Sequence, residues 1–404
     1  MSHAPTGLEY PPPPGLARIQ TRSLVIGVVF LAVAAIAAVV GHSPTQFFRS
    51  YLLGFAWWVG MSLGCLAVLM MQHVAGGQWG FVIRRPLEAA VRIFPLLAVM
   101  FVPLIFGIPY LYVWDHRELV QHDASLQHQL QYLRAPWFIA RSIIYLLVWI
   151  LLGYLLNRWS AAQDASDDPA LRRRMSRLSA PGLGIYALTV SFASIDWLMS
   201  LSPHWGSTIY PLILIAGQIL AGLAFSAAIL FLLVQHKPMS DVVQESHLHS
   251  LGKMMLAFVM LWAYCSYSQL VIIWAGNQPS EISWYLGRLN ADWKYVGLAL
   301  VLFHFAVPFA LLLSRDLKRN ARKLARVAIL LVLMRYVDLL FWIAPNSLPG
   351  FAHGVPFQWM DIVVPIGIGG LWMAAFVRAL RQRPLLAVHD QRFEEVVGHV
   401  AESA

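Results

Sequence analysis

The chain has 404 residues, of which 59% are hydrophobic and only 12% charged. Soluble domains carry about 25% charged residues, so this composition excludes an ordinary water-soluble globule. The net charge of +9 would point to nucleic acid in a soluble protein, but here the basic residues sit in short segments between long apolar runs, the pattern that orients a protein in a bilayer.

Residues 1–21 are polar and proline-rich, with Pro11 to Pro14 following Tyr10. They read as an extended cytoplasmic tail rather than a cleavable signal, because no small-residue cleavage site closes the first apolar run. About 20 apolar residues cross the hydrocarbon core as a helix. Ten segments qualify: 23–40, 51–74, 87–108, 136–157, 182–202, 208–235, 251–275, 294–314, 324–343 and 357–380. The expected fold class is therefore an all-α integral membrane protein of ten transmembrane helices, with a ten-span domain over 22–380 and a cytoplasmic tail over 381–404. Gly76-Gly77 before Trp79 reads as a turn into the third span.

With the N-terminus inside, 22 of the 29 Lys and Arg fall on inner ends and loops, including Arg392 in the last tail. Six fall outside (Arg49, Arg117, Arg134, Arg141, Arg288 and Lys294), and Arg335 lies within a span. This is a strong positive-inside bias and places both termini in the cytoplasm. Nine of the 16 Trp, among them Trp114, Trp205, Trp284 and Trp342, fall at the outer ends. That face can form a headgroup belt or dock a partner.

A weak internal repeat has a constant offset of four helices. Spans two and six close on Gln-His (Gln72-His73, Gln235-His236), and spans four and eight end in Leu-Leu-x-Arg (Leu155 to Arg158, Leu312 to Arg315). Spans five and nine each carry Asp with Leu two residues on (Asp196, Asp338). The offset predicts two parallel four-helix bundles, 51–202 and 208–343, flanked by the first and last helices.

Ionisable groups inside a membrane are expensive and mark candidate functional positions. Asp196 shares a helical face with Thr189 and Ser200. Arg335 and Asp338, three apart, can meet on one face, either as a self-neutralising ion pair or as a proton-carrying carboxylate tuned by its neighbour. His304 lies mid-span and reads either as a structural histidine or as a proton relay, with Gln218, Tyr264, Ser266 and Tyr267 as companions. In the first bundle Glu88 with Arg92, and Arg141 with Tyr145, are counterparts; Glu88 is also placed to pair with Arg84 or Arg85.

The residues also bound the chemistry. Two cysteines, Cys65 and Cys265, are too few for a thiolate metal site and read as apolar fillers. Bis-histidine haem needs two deep histidines, and only His304 is deep. His116, His122 and His128 are spaced six apart, off a common helical face, so the outer loop 109–135 reads as lying on the membrane surface or under a partner. No phosphate-cradling glycine loop and no nucleophile elbow occurs.

The run Ser191-Phe192-Ala193-Ser194-Ile195-Asp196-Trp197-Leu198-Met199-Ser200-Leu201-Ser202-Pro203-His204-Trp205, with Ser207-Thr208-Ile209-Tyr210, resembles the quinone-binding subunit 2 of quinol:cytochrome c oxidoreductase, the bacterial alternative complex III. Gly77-Gln78-Trp79, Arg84-Arg85-Pro86-Leu87-Glu88-Ala89-Ala90 and Phe303-His304-Phe305 with Pro308-Phe309 are similar to it too, and the likeness runs from about residue 22 to 380. It implies a membrane subunit of the polysulfide-reductase kind in the bacterial cytoplasmic membrane, without a redox centre of its own. The implied partners are a homologous quinone-binding subunit, an iron–sulfur subunit, and multihaem and monohaem cytochromes c. Haem c and iron–sulfur clusters then belong to those partners, and a quinone such as menaquinone is the cofactor this subunit could meet. The resemblance makes Asp196, His204, His304, Arg335, Asp338, Glu88 and Arg141 candidates for a proton path or quinone pocket. Two other readings stay open: a stand-alone proton-coupled secondary transporter, and a purely structural anchor.

Overall fold

The computed structural model describes residues 13, 15–166, 168–289, 292–345, 357–387 and 390. Pro11, Pro12, Pro14, Arg392 and the segment 391–404 lie outside the described residues. Those described are helical, with no strand. The main helices are α1 (Leu16–Val40), α2 (Pro44–Ala75), α3 (Gln78–Val91), α4 (Phe94–Leu111), α5 (Ala135–Gln163), α6 (Pro169–Trp197) and α7 (Tyr210–Leu233). They continue with α8 (Glu245–Gly276), α9 (Pro279–Leu289), α10 (Trp293–Leu313), α11 (Ala321–Ile343) and α12 (Trp359–Arg381).

Several starts follow from local chemistry. Proline stands in the first turn of α2, α4, α5, α6 and α7, where its missing N–H costs nothing. Asp168 caps α6 by accepting from the Ala170 N–H at 2.8 Å, and Asn320 caps α11 by accepting from Lys323 at 3.1 Å. Gly76 and Gly77, with φ of 71° and 94°, turn the chain from α2 into α3 as expected.

Nine helices among the described residues are long and apolar enough to cross a membrane, which makes this an all-α, multi-pass membrane protein. They correspond to nine of the ten expected segments. The third begins later than expected, at Phe94 rather than residue 87. Arg92 and Ile93 break the helix there, because Pro95 has no N–H to continue the α-ladder to Val91. The tenth segment is the helix α11, whose Arg326, Arg335 and Asp338 leave every long stretch of it too charged to qualify on composition.

α2 and α7 form the centre. α2 packs on α3, α4, α6 and α12, while α7 packs on α8, α11 and α2. α5 closes against α4 and α6, and α10 against α8 and α11. α1 leans almost wholly on α12, and most of its surface is exposed apolar side chain, such as Val28, Ile36 and Val39. Small residues set the closest crossings, as is usual where lipid removes any hydrophobic drive between helices. A Cβ on Gly64 of α2 would lie 1.8 Å from the Gln218 carbonyl oxygen of α7, and one on Gly222 would lie 2.5 Å from the Gly64 carbonyl carbon. Gly27 and Gly370 make the same kind of contact between α1 and α12. α2, α5, α7 and α12 begin, and α4, α6, α8 and α11 end, at a face rich in Trp; the opposite face is rich in Arg.

Gly64→Val tests the central crossing. Backbone, not a flexible side chain, blocks the added methyls, so overpacking of about 1–3 kcal/mol or more is expected. The detergent-solubilised variant should unfold at a clearly lower temperature than wild type. Gly184→Ala, which meets nothing within 4 Å, should match wild type, and equal midpoints for both variants would refute the close crossing.

Candidate functional site

Three carboxylates are buried near the Trp-rich end, each fully exposed to donors and almost none to solvent. Asp196, one residue before the end of α6, receives both forks of a guanidinium: Arg141 of α5 donates from Nε and Nη2, each at 2.9 Å. The Tyr145 hydroxyl adds a third donor at 2.8 Å. Arg141 also lies over the Tyr132 ring, 3.8 Å from its centroid. Bidentate, charge-assisted hydrogen bonds of this kind are among the strong ones.

Asp338 of α11 is held differently. Its guanidinium comes from the same helix, Arg335 one turn earlier, bonded to Oδ2. Two indoles complete the shell: Trp262 of α8 donates to Oδ2 at 3.2 Å and Trp342 to Oδ1 at 2.9 Å. Arg335 fits only because Gly217 of α7 has no side chain, since a Cβ there would come within 2.2 Å of Nη1. The remaining guanidinium reach goes to the Leu214 carbonyl at 3.4 Å.

His304 adjoins this group. It is fully buried and stacks face to face on Trp262, with centroids 4.1 Å apart and planes 5° off parallel. No side chain bonds to either ring nitrogen, and the one polar group within reach is the Met334 backbone, at the margin of hydrogen-bonding geometry. The residue sits inside a π-helical turn, Leu300–Ala306. Pro308 explains the local widening: it offers no N–H to the His304 carbonyl, so the α-ladder cannot continue through that point. Such π segments recur at functional sites.

The third carboxylate escaped the sequence reading. Asp361, in the first turn of α12, accepts from Arg49 Nη2 at 2.8 Å, Ser50 Oγ at 2.6 Å and Gln46 Nε2 at 3.2 Å, all from α2. The backbone N–H of Gln358 also reaches it, at 3.1 Å. A lone acid at the head of the last apolar run was the available signal. A tryptophan stack caps the same face: Trp205 lies 4.6 Å from Trp284, Trp284 lies 4.8 Å from Trp342, and the Arg288 guanidinium sits 3.3 Å from the Trp284 ring centre.

Other expected companions fall elsewhere. Thr189 accepts from Trp149 Nε1 at 2.9 Å, and Ser200 donates to the Asp196 backbone carbonyl, so neither touches the Asp196 carboxylate. Tyr264 and Tyr267 point away from His304 and are about 70% exposed, at 70% and 68%. Gln218 accepts from the Tyr186 hydroxyl at 2.9 Å. His204 lies at the surface, 3.2 Å from Asp123.

Glu88 belongs to a separate cluster at the Arg-rich end. Arg84 reaches it at 2.8 Å, Arg85 at 2.7 Å and Ser160 Oγ at 2.6 Å, with Arg383 at 3.5 Å. Arg85 also pairs with Asp164, and Arg84 with Asp390 at 2.8 Å. Arg92 turns to Gln382 Oε1, 2.6 Å away. Cys65 and Cys265 are buried and in no disulfide. Among the described residues no group of three or more His, Cys, Asp or Glu is placed to hold a metal ion.

Neither the protein-family models nor the curated proteins compared with this chain give a match.

A double-mutant cycle measures the Asp338 pair. Arg335→Met leaves a buried carboxylate with two neutral donors and should lower stability by about 3–5 kcal/mol. Adding Asp338→Leu removes the orphaned charge and should restore most of that loss. Thermal unfolding in detergent reads both; an Arg335→Met midpoint equal to wild type would rule the pair out as a structural requirement.

Proposed function

We propose that the chain is the non-redox membrane subunit of a respiratory quinol:cytochrome c oxidoreductase in the bacterial cytoplasmic membrane. It has ten spans, both termini cytoplasmic, and supports quinol oxidation by its partners while conducting protons. The subunit class rests on the Asp196-to-Trp205 resemblance and on the 22-to-6 division of basic residues. α11 serves as the tenth span. Its 23 residues make about 34 Å of helix, enough for a hydrocarbon core of about 30 Å, and its two mid-helix charges neutralise each other.

The proton role is carried by one observation, the fully buried His304 stacked on Trp262 within the π turn. Asp196 and Asp338 are each occupied by several donors. A neutral imidazole has one donor and one acceptor nitrogen, and no side chain bonds to either nitrogen of His304. It can take a proton on one nitrogen and release another from the opposite one, while Trp262 fixes the ring and links it to Asp338. Arg335 and Asp338 then set the field in which His304 gains charge, and Arg141 with Asp196 forms the counterpart pair in the first bundle. The competing reading as a structural anchor draws support from the saturation of Asp196 and Asp361.

A tagged chain extracted in mild detergent should bring down c-type haem, an iron–sulfur protein and a second polytopic subunit. A chain that elutes alone and moves a solute in liposomes would sink the subunit class in favour of a transporter. Within an assembled complex, His304→Gln should lower proton release per quinol oxidised at least severalfold while haem content is kept. Unchanged proton stoichiometry in that variant leaves the anchor reading standing and removes the relay.

A further inference from the structure

We infer that the Arg-rich ends of α8 and α10 form a docking site for the phosphate headgroup of an anionic membrane lipid, with Lys318 at its centre. α10 runs into the short helical turn Arg315–Arg319, and that turn packs on α8. Lys253, Lys318, Arg319 and Arg315 all lie close enough to His249 of α8 to act on it electrostatically. Arg322, Lys323 and Arg326 follow in the first turns of α11. Over 245–253 and 314–326 there are seven Lys and Arg against two carboxylates, Glu245 and Asp316, leaving five net positive charges. Glu245 is largely exposed and 3.8 Å from Arg319, while Asp316 is exposed and pairs with no cation among the described residues.

Lys318 is the observation that marks a ligand. Only 7% of it is exposed, and its ammonium has no hydrogen bond or ion pair among the described residues. Its stem lies on Gly252 of α8, where a Cβ would come within 2.6 Å of the Lys318 Cγ. Lysine is almost never buried unless it is paired, and a lysine that snorkels keeps its head in water. Here the charges that share its surroundings at His249 are cations, which add to the cost of burial. An anion seated among Lys253, Arg315, Lys318 and Arg319 supplies the missing partner.

Depth and the neighbouring apolar surface place that anion on a lipid. Lys253 and Trp274 are both exposed on α8 and lie about 32 Å apart along its axis at 1.5 Å per residue. That is close to a hydrocarbon thickness of about 30 Å. Lys253 therefore stands at headgroup level when Trp274 occupies the opposite surface. Next to Arg315, Leu311 and Leu313 in the last turn of α10 are exposed, as Met260 is on α8. An acyl chain can lie on these side chains with its phosphate among the cations. Clusters of about four to eight Lys and Arg beside a membrane-crossing helix recognise anionic headgroups in this way. The inference uses the membrane placement alone and stands whether or not the chain serves an oxidoreductase.

The test uses the purified full-length protein, with its partners where they co-purify, stripped of lipid in detergent. Added phosphatidylglycerol should stay bound in native mass spectrometry and raise the unfolding temperature, whereas phosphatidylcholine should do neither. K253Q/R315Q/R319Q, at exposed or half-buried positions, should weaken phosphatidylglycerol retention by on the order of a hundredfold, from about fivefold for each cation. R173Q/R174Q/R177Q removes the same charge from exposed positions on α6, which packs on α2, α5 and α7. That control should retain lipid like wild type. Far-UV circular dichroism and a monodisperse elution profile check that each variant folds. K318M keeps an apolar stem on Gly252 and separates ligand from scaffold. Without lipid it should unfold at or above the wild-type temperature, and with phosphatidylglycerol it should gain less than wild type. A K318M destabilised equally with and without lipid would make Lys318 structural and overturn the site. So would equal retention by wild type and K253Q/R315Q/R319Q, equal loss in the α6 control, or an equal effect of phosphatidylcholine. Full protection by millimolar inorganic phosphate, with nothing further from phosphatidylglycerol, would overturn the lipid as occupant.

Discussion

A carboxylate withdrawn from water costs several kcal/mol unless its charge is matched and every oxygen is engaged, and the Trp-rich half of this protein is arranged around that requirement. Asp196, Asp338 and Asp361 are each buried and each bound to one arginine and at least one further donor. The matches tie distant helices: α5 to α6 through Asp196, α8 to α11 through Asp338, and α2 to α12 through Asp361. Where the arginine needs space, a residue is missing a side chain, as Gly217 is beneath Arg335. Loss of one partner therefore acts on two helices at once.

The two halves solve the same problem with different parts. Asp196 draws its arginine and tyrosine from the neighbouring helix, whereas Asp338 takes its arginine from its own helix and its other donors from indoles. Gln72 and Gln235, matched in the sequence repeat, also diverge. The first is buried and without a partner, while the second lies beyond the end of α7 and donates to the Phe231 carbonyl at 3.5 Å.

This explains what could be read from the residues alone. Long apolar runs report spans directly, and charge three or four apart on one helix reports a contact, so the apolar helices and the Arg335–Asp338 pair were visible. The Arg49–Asp361 bond joins residues 312 apart, and no periodicity within either helix signals it. Tyr264 and Tyr267 were grouped with His304 by proximity in sequence. They share a face with each other, three apart, but that face is opposite to the one carrying Trp262, Cys265 and Gln269, which are buried. The break at Arg92–Ile93 was masked because hydropathy is continuous across it, and Pro95 acts on backbone hydrogen bonds that hydropathy does not measure. The helix α11 is the converse case: its charges mask a long helix in which Arg335 and Asp338 are buried and paired with each other.

Saturation also divides the ionisable groups by what they can do. Asp196, Asp338 and Asp361 have their oxygens occupied by donors from their own and neighbouring helices and so hold structure in the arrangement seen. His304 is the contrasting case, with no side chain bonded to its ring, in a backbone turn that Pro308 keeps from being regular α-helix. A polar ring without a side-chain partner at zero exposure is a cost the fold could remove with any apolar residue. Trp262 holds the imidazole flat against its face and hands its own N–H to Asp338, so a charge arriving on His304 would be felt at once by the Arg335–Asp338 pair. In the proposed function, coupling between a proton on His304 and the helix contacts of α8, α10 and α11 runs through that single indole.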